Sequence, residues 1–201
     1  MSIASDVKND KTHSFCKLNF QKNVEIDIKD SIDTSIAIIK NILSITSSLN
    51  SKNENSVFDI NQKQFSETDS ESSDNDSEND ENISISKMEI DEFIERIVNY
   101  LNIDNTLLVL SMMMLDKILA NNFILTERNV HKVIFICFME TQKFFEDENY
   151  KNSDYAKVCG ISVNELLLME VSFMELINYN MFVKEEEYIE YNKSFECLWK
   201  Y

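Results

Sequence analysis

The chain has 201 residues, with 19 Lys and Arg against 36 Asp and Glu and a formal net charge of −17. That charge repels phosphate backbones and anionic lipid surfaces, so neither nucleic acid nor a membrane is an expected partner. There is no proline and one glycine, Gly160, which excludes the Gly-rich phosphate loops of nucleotide-binding folds and removes most of the turn chemistry that sheets use.

The expected fold class is therefore all-α, with helices joined by Asn, Asp, Ser and Lys loops. Residues 1–24 are polar and irregular and read as a flexible tail, and Met1 to Asp10 has no signal-peptide character. Residues 25–50 carry a helical period, with Ile28, Ile32, Ile36, Ile39 and Leu43 at spacings of three and four. So many β-branched residues lower intrinsic helicity, so this N-terminal helix needs a surface to lie on. Residues 51–82 read as an acidic disordered linker. Its centre, Ser66 to Glu81, holds eight acidic residues, no Lys or Arg and no apolar residue, and such a run cannot bury enough surface to order itself. Ser66, Thr68, Ser73 and Ser77 each have an acidic residue three positions on, a pattern that resembles acidophilic kinase sites; the plainer reading is a solvated insertion.

Residues 83–201 form the compact part. A first helix places Ile90, Phe93, Ile94, Ile97, Val98 and Leu101 on one stripe. Asp104 or Asn105 can cap a second helix, Thr106 to Ala120. It is apolar nearly all round, which predicts a position in the middle of a bundle. Its run Leu107 to Leu115 is far short of the roughly 20 residues that a membrane span needs. Thr126 can cap a third helix from Glu127 to about Phe145, also predicted to be interior. After Gly160, Ser162 and Glu165 have capping-box spacing and open a fourth helix that reaches about Asn178. A fifth starts near Lys184, with Glu185, Glu186 and Glu187 in its first turn and Tyr188, Ile189, Phe195, Leu198 and Trp199 as its apolar surface.

The residue inventory supplies no catalytic constellation. Cys16, Cys137, Cys159 and Cys197 are scattered without a CxxC, and His13 and His131 are the two histidines, so no zinc spacing exists. Cys137 reads as a buried thiol, and unpaired cysteines suit a reducing intracellular compartment. Glu127 and His131 lack the second arm of a di-iron site. No metal, cofactor or enzymatic activity is expected; the chain reads as an interaction module.

Five strings give that module a likeness. FIERIVNYLN (93–102), VLSMMMLDKIL (109–119), LTERNVHK (125–132), QKFFEDENYKNSDYAKVCGIS (142–162) and NELLLMEVSFMELINYNMFV (164–183) resemble, in order, the helices of the cyclin box in phosphate-pathway (P-type or U-type) cyclins. The fourth is the most specific, since the spacing from Lys143 through Tyr150, Asn152 and Tyr155 to Gly160 matches without a gap. The resemblance implies a single five-helix cyclin box over 83–201, preceded by the 25–50 helix and the acidic insertion. It implies a partner, a cyclin-dependent protein kinase, which such a subunit activates by holding the kinase helix that carries the catalytic Glu. Lys143 and Glu170 match the Lys and Glu that bond the backbone near that helix, and Phe144, Met174 and Tyr179 match apolar contact positions around them. Arg96 and Asp116 match a structural ion pair inside the box.

The chain also departs from the pattern. Gln142, with Thr141 and Glu140 ahead of it, replaces a small residue and could crowd the contact. Cys159 replaces a second glycine, leaving the turn to Gly160. No hydrophobic docking string for substrate recruitment is present. These departures leave an alternative, a cyclin-fold scaffold that binds a kinase or another partner without activating it. No polybasic run distinguishes nucleus from cytoplasm.

Overall fold

The computed structural model describes residues 27–47, 58 and 88–199, apart from the side chain of Trp199. The 1–24 tail and the acidic run with Ser66, Thr68, Ser73 and Ser77 lie outside the described residues. Among those residues the structure is all helical, with no strand and seven helices: α1 (Ile28–Ser47), α2 (Ile90–Tyr100), α3 (Asn105–Ala120), α4 (Val130–Phe145), α5 (Asn152–Cys159), α6 (Val163–Leu176) and α7 (Glu185–Trp199).

The architecture follows from where the apolar faces lie. α3 and α4 are apolar on nearly every side and pack on each other at the centre. α1, α2 and α7 cover one flank of this pair, and α5 and α6 the other. Ile32, Ile36 and Ile39 of α1 are buried, with Ile28 and Leu43 packed at the margin, so the β-branched stripe finds the surface that it requires. Phe58 is buried as well, its ring perpendicular to that of Phe123 with centroids 5.7 Å apart.

Local chemistry fixes the ends of several helices. Asp104 accepts from the Leu107 N–H at 2.8 Å and caps α3. Ser162 accepts from the Glu165 N–H at 3.1 Å and caps α6; the other half of the capping box is not made, because Glu165 turns to Lys132 of α4 at 2.6 Å. Gly160 ends α5 in the left-handed conformation (φ 63°), where a Cβ would be penalised. Cys159, in place of a second glycine, is the last helical residue and is buried. Past α6, Asn178 and Tyr179 also have positive φ. The loop after them is tied to the core by the Lys117 ammonium, which donates to the carbonyls of Asn180 and Phe182 at 3.0 and 2.9 Å.

Three expectations need correction. Thr126 does not cap the third box helix: its hydroxyl is buried without a partner. Asn129 instead accepts from the Thr126 N–H at 2.7 Å, which holds 127–129 in a turn, so α4 begins at Val130. An unforeseen helix, α5, spans 152–159. At eight residues it is too short to declare a period, and it buries Tyr155, Ala156, Val158 and Cys159. In α7 only part of the expected apolar surface is covered: Tyr188 and Phe195 are buried, whereas Ile189 and Leu198 face solvent.

Candidate functional site

Lys143 lies in the last turn of α4, where the helix dipole favours a cation. Its ammonium ion-pairs with the Glu170 carboxylate of α6 and donates to Asn152 Oδ1, at the start of α5, at 2.8 Å. Asn152 Nδ2 reaches the second Glu170 oxygen at 3.4 Å. The Tyr155 ring lies 5.3 Å from the Lys143 nitrogen, a cation–π distance. Three helices thus converge on one ion pair. Its side chains are 21% and 19% exposed, so the pair is braced from within and open at its outer edge.

Apolar groups surround it. On α6, Val163, Leu167, Val171 and Met174 share a stripe with Glu170 at spacings of three and four. The first three are exposed and Met174 is half-buried against the core. Leu168, beside the stripe, is exposed too. Phe144 is 41% exposed and packs edge-on to Phe145. Tyr179 is 67% exposed and is fixed at the end of α6 by its N–H bond to the Met174 carbonyl at 2.7 Å. Lone exposed apolar side chains are ordinary, but a contiguous stripe around a half-open ion pair has the anatomy of a protein interface.

Gln142 does not crowd this surface. It is 5% exposed and points inward, donating to the Leu101 carbonyl at 2.8 Å and accepting from the Tyr155 hydroxyl at 3.0 Å. Glu140 does belong to the site. One of its oxygens is buried without a partner, and burial, aided by the Glu170 charge against the pull of Lys143, pushes its carboxyl up to about 7.

Arg96 and Asp116 are not joined. Asp116 lies on an exposed stretch of α3 and accepts from the Tyr191 hydroxyl of α7 at 2.8 Å. Among the described residues no ion pair or hydrogen bond joins it to Arg96, whose charge acts on the buried Cys159 thiol. In place of the expected pair, Asp116 makes an α3–α7 hydrogen bond with Tyr191.

Among the described residues no group of three or more His, Cys, Asp or Glu could hold a metal, and no helix is long and apolar enough to cross a membrane. Burial pushes the Cys159 thiol up to about 12 and that of Cys137 higher still, so both are poor nucleophiles. His131 is occupied by a 2.8 Å contact from Nε2 to the Met88 carbonyl and an edge-on contact with Phe93.

A helical box of this layout, with a braced Lys–Glu pair opening onto an apolar stripe, presents the kind of surface that binds another protein. The family profile of cyclins matches residues 33–181, and the chain belongs to the cyclin family. It is similar to Cyclin-U2-1 of Arabidopsis thaliana (31% identity, covering 53% of this chain and 49% of that one). It is also similar to the PHO85 cyclin-like protein psl1 of Schizosaccharomyces pombe (30%, covering 52% and 44%) and to PHO85 cyclin-7 of Saccharomyces cerevisiae (26%, covering 94% and 70%). These relatives place it with the phosphate-pathway cyclins. The chain spans about half the length of the first two.

The supporting residues Asn152 and Tyr155 went unassigned in the sequence, although both stand in the most specific of the five strings. Only the positions of α4, α5 and α6 relative to one another give them a role.

Proposed function

We propose that this chain is the regulatory subunit of a cyclin-dependent protein kinase, without chemistry of its own, and that it activates the kinase by docking through Lys143 and Glu170. In this reading the ammonium and the carboxylate bond backbone groups beside the kinase helix that bears the catalytic Glu, while Phe144, Met174 and Tyr179 contact the apolar side of that helix. Binding the active pose more tightly than the inactive one shifts the population towards activity, so that the catalytic Glu meets the Lys that holds the phosphates.

The observation that carries the reading is the half-open Lys143–Glu170 pair. It is anchored by Asn152, so its outer donors and acceptors are pre-aimed and little side-chain entropy is lost on docking. Charge-assisted bonds of this kind contribute roughly 1.5–3 kcal/mol each once water is excluded. The inward turn of Gln142 removes one ground for a scaffold that binds without activating.

The test is a pull-down with the full chain, identification of the captured kinase, and phosphorylation of a generic substrate. The expected result is a captured kinase whose activity rises with the wild-type chain and falls at least tenfold with Lys143→Ala or Glu170→Ala, both folded by circular dichroism. Normal activation by both variants would overturn the proposal; capture without activation would favour the scaffold.

A further inference from the structure

The docking pair has a third charged neighbour. Glu140 lies one helical turn before Lys143 on α4, so the charges of Lys143 and Glu170 both act on its carboxyl. The groups that act on Glu140 are Lys143 on its own helix and Glu170 of α6; Glu140 in turn acts on Tyr155 of α5 and on the buried Cys137 thiol of α4. Tyr155 and Cys137 are neutral at physiological pH, because burial pushes the phenol up to about 12 and the thiol higher. Lys143 is therefore the only cation acting on the two carboxyls among these groups. With both ionised, the node carries one surplus negative charge and one buried oxygen without a partner.

Resting on the docking reading above, we propose that Glu140 is a positioning residue that couples docking to the uptake of one proton. In the protonated form its O–H donates to Glu170, which leaves Lys143 committed to Glu170 and Asn152 with its outer face free for the partner. In the ionised form Glu140 competes with Glu170 for Lys143, and a partner closing over the site would bury an uncompensated charge. The proton comes from solvent and returns to it on release. Burial already pushes the free carboxyl up to about 7, and a covering partner removes more water and pushes it further. Uptake is therefore expected at neutral and mildly alkaline pH.

The experiment measures affinity of the full chain for its co-purified kinase between pH 6.5 and pH 8, for wild type and Glu140→Gln. Proton uptake is counted by calorimetry in phosphate and Tris. One linked proton changes affinity by at most about tenfold per pH unit, so wild-type affinity is expected to weaken roughly three- to tenfold from pH 6.5 to pH 8. Glu140→Gln, neutral at every pH and still able to donate, is expected to bind at pH 8 as wild type does at pH 6.5. Its proton count should be lower by up to about one. Glu140→Met, neutral without a donor, is expected to share the flat profile. If either folded variant keeps the wild-type pH profile and proton count, the coupling is refuted while docking stands. If wild type binds no kinase at any pH, the docking reading falls and takes the coupling with it.

Discussion

Gln142→Ala removes the central link of an internal network, and its cost can be worked from the geometry. The side chain ties the Leu101 carbonyl, at the end of α2, to the Tyr155 hydroxyl of α5 from the C-terminal end of α4. Truncation strips both groups of their partner. A buried polar group left alone costs about 1–3 kcal/mol. Leu101 and Gln142 line a cleft of about 430 Å³ together with Asp104, Glu146 and Tyr150, so water can reach the Leu101 carbonyl once the side chain is cut back, and its share falls at the low end, about 1 kcal/mol. Tyr155 is fully buried, which puts its hydroxyl nearer the middle of the range. The sum is about 2–4 kcal/mol of lost stability. Urea unfolding followed at 222 nm reads it directly. Tyr155→Phe strands only the Gln142 oxygen, and the double variant strands only the Leu101 carbonyl, so it should be about 3 kcal/mol less destabilised than the two single effects added together. A Gln142→Ala cost below about 0.5 kcal/mol, the range of ordinary surface changes, would refute the account of Gln142 as an inward brace.

Two further outcomes follow from other parts of the fold. Burial lowers the pKa of His131, against the opposing pull of its Met88 bond and of Glu89. The unfolded chain therefore binds more protons here, and the stabilisation present above the ordinary value of 6.5 is lost as pH falls through 6.5 towards the folded value. His131→Gln should lose less urea resistance than wild type between pH 7 and pH 5.5, and an unchanged pH slope would contradict the assignment. Phe58→Ala should cost about 3 kcal/mol by leaving a cavity beside Phe123; a denaturation midpoint equal to wild type would show that Phe58 does not dock on the core.

Much of this architecture is legible because the chain spends its apolar residues consistently. The two all-apolar segments became α3 and α4, since helices without a polar face have no stable place except between others. Asp104 and Ser162 could be assigned as caps because their partners are local in sequence. Thr126 misled because Asn129, three residues on, offers a better-placed carbonyl oxygen to the same turn. α5 was hidden by its length, its burial being decided by α4 and α6 rather than by its own period. In the site, the resemblance pointed to Lys143 and Glu170 but could not tell that Gln142 turns inward. That depends on the Leu101 carbonyl and the Tyr155 hydroxyl arriving from different helices. The partner of Asp116 was likewise not legible: it is Tyr191, 75 residues away, and not Arg96.

The most direct test compares the two ion pairs that join α4 to α6. Lys132–Glu165, at 2.6 Å, ties the same helices but lies outside the apolar stripe, whereas Lys143–Glu170 opens onto it. Kinase affinity measured for Lys132→Ala and Lys143→Ala separates a docking contact from a fold-stabilising one. The account predicts a loss of at least tenfold, about 1.4 kcal/mol, for Lys143→Ala and less than about twofold for Lys132→Ala. Equal losses in both variants, or none in either, would contradict it.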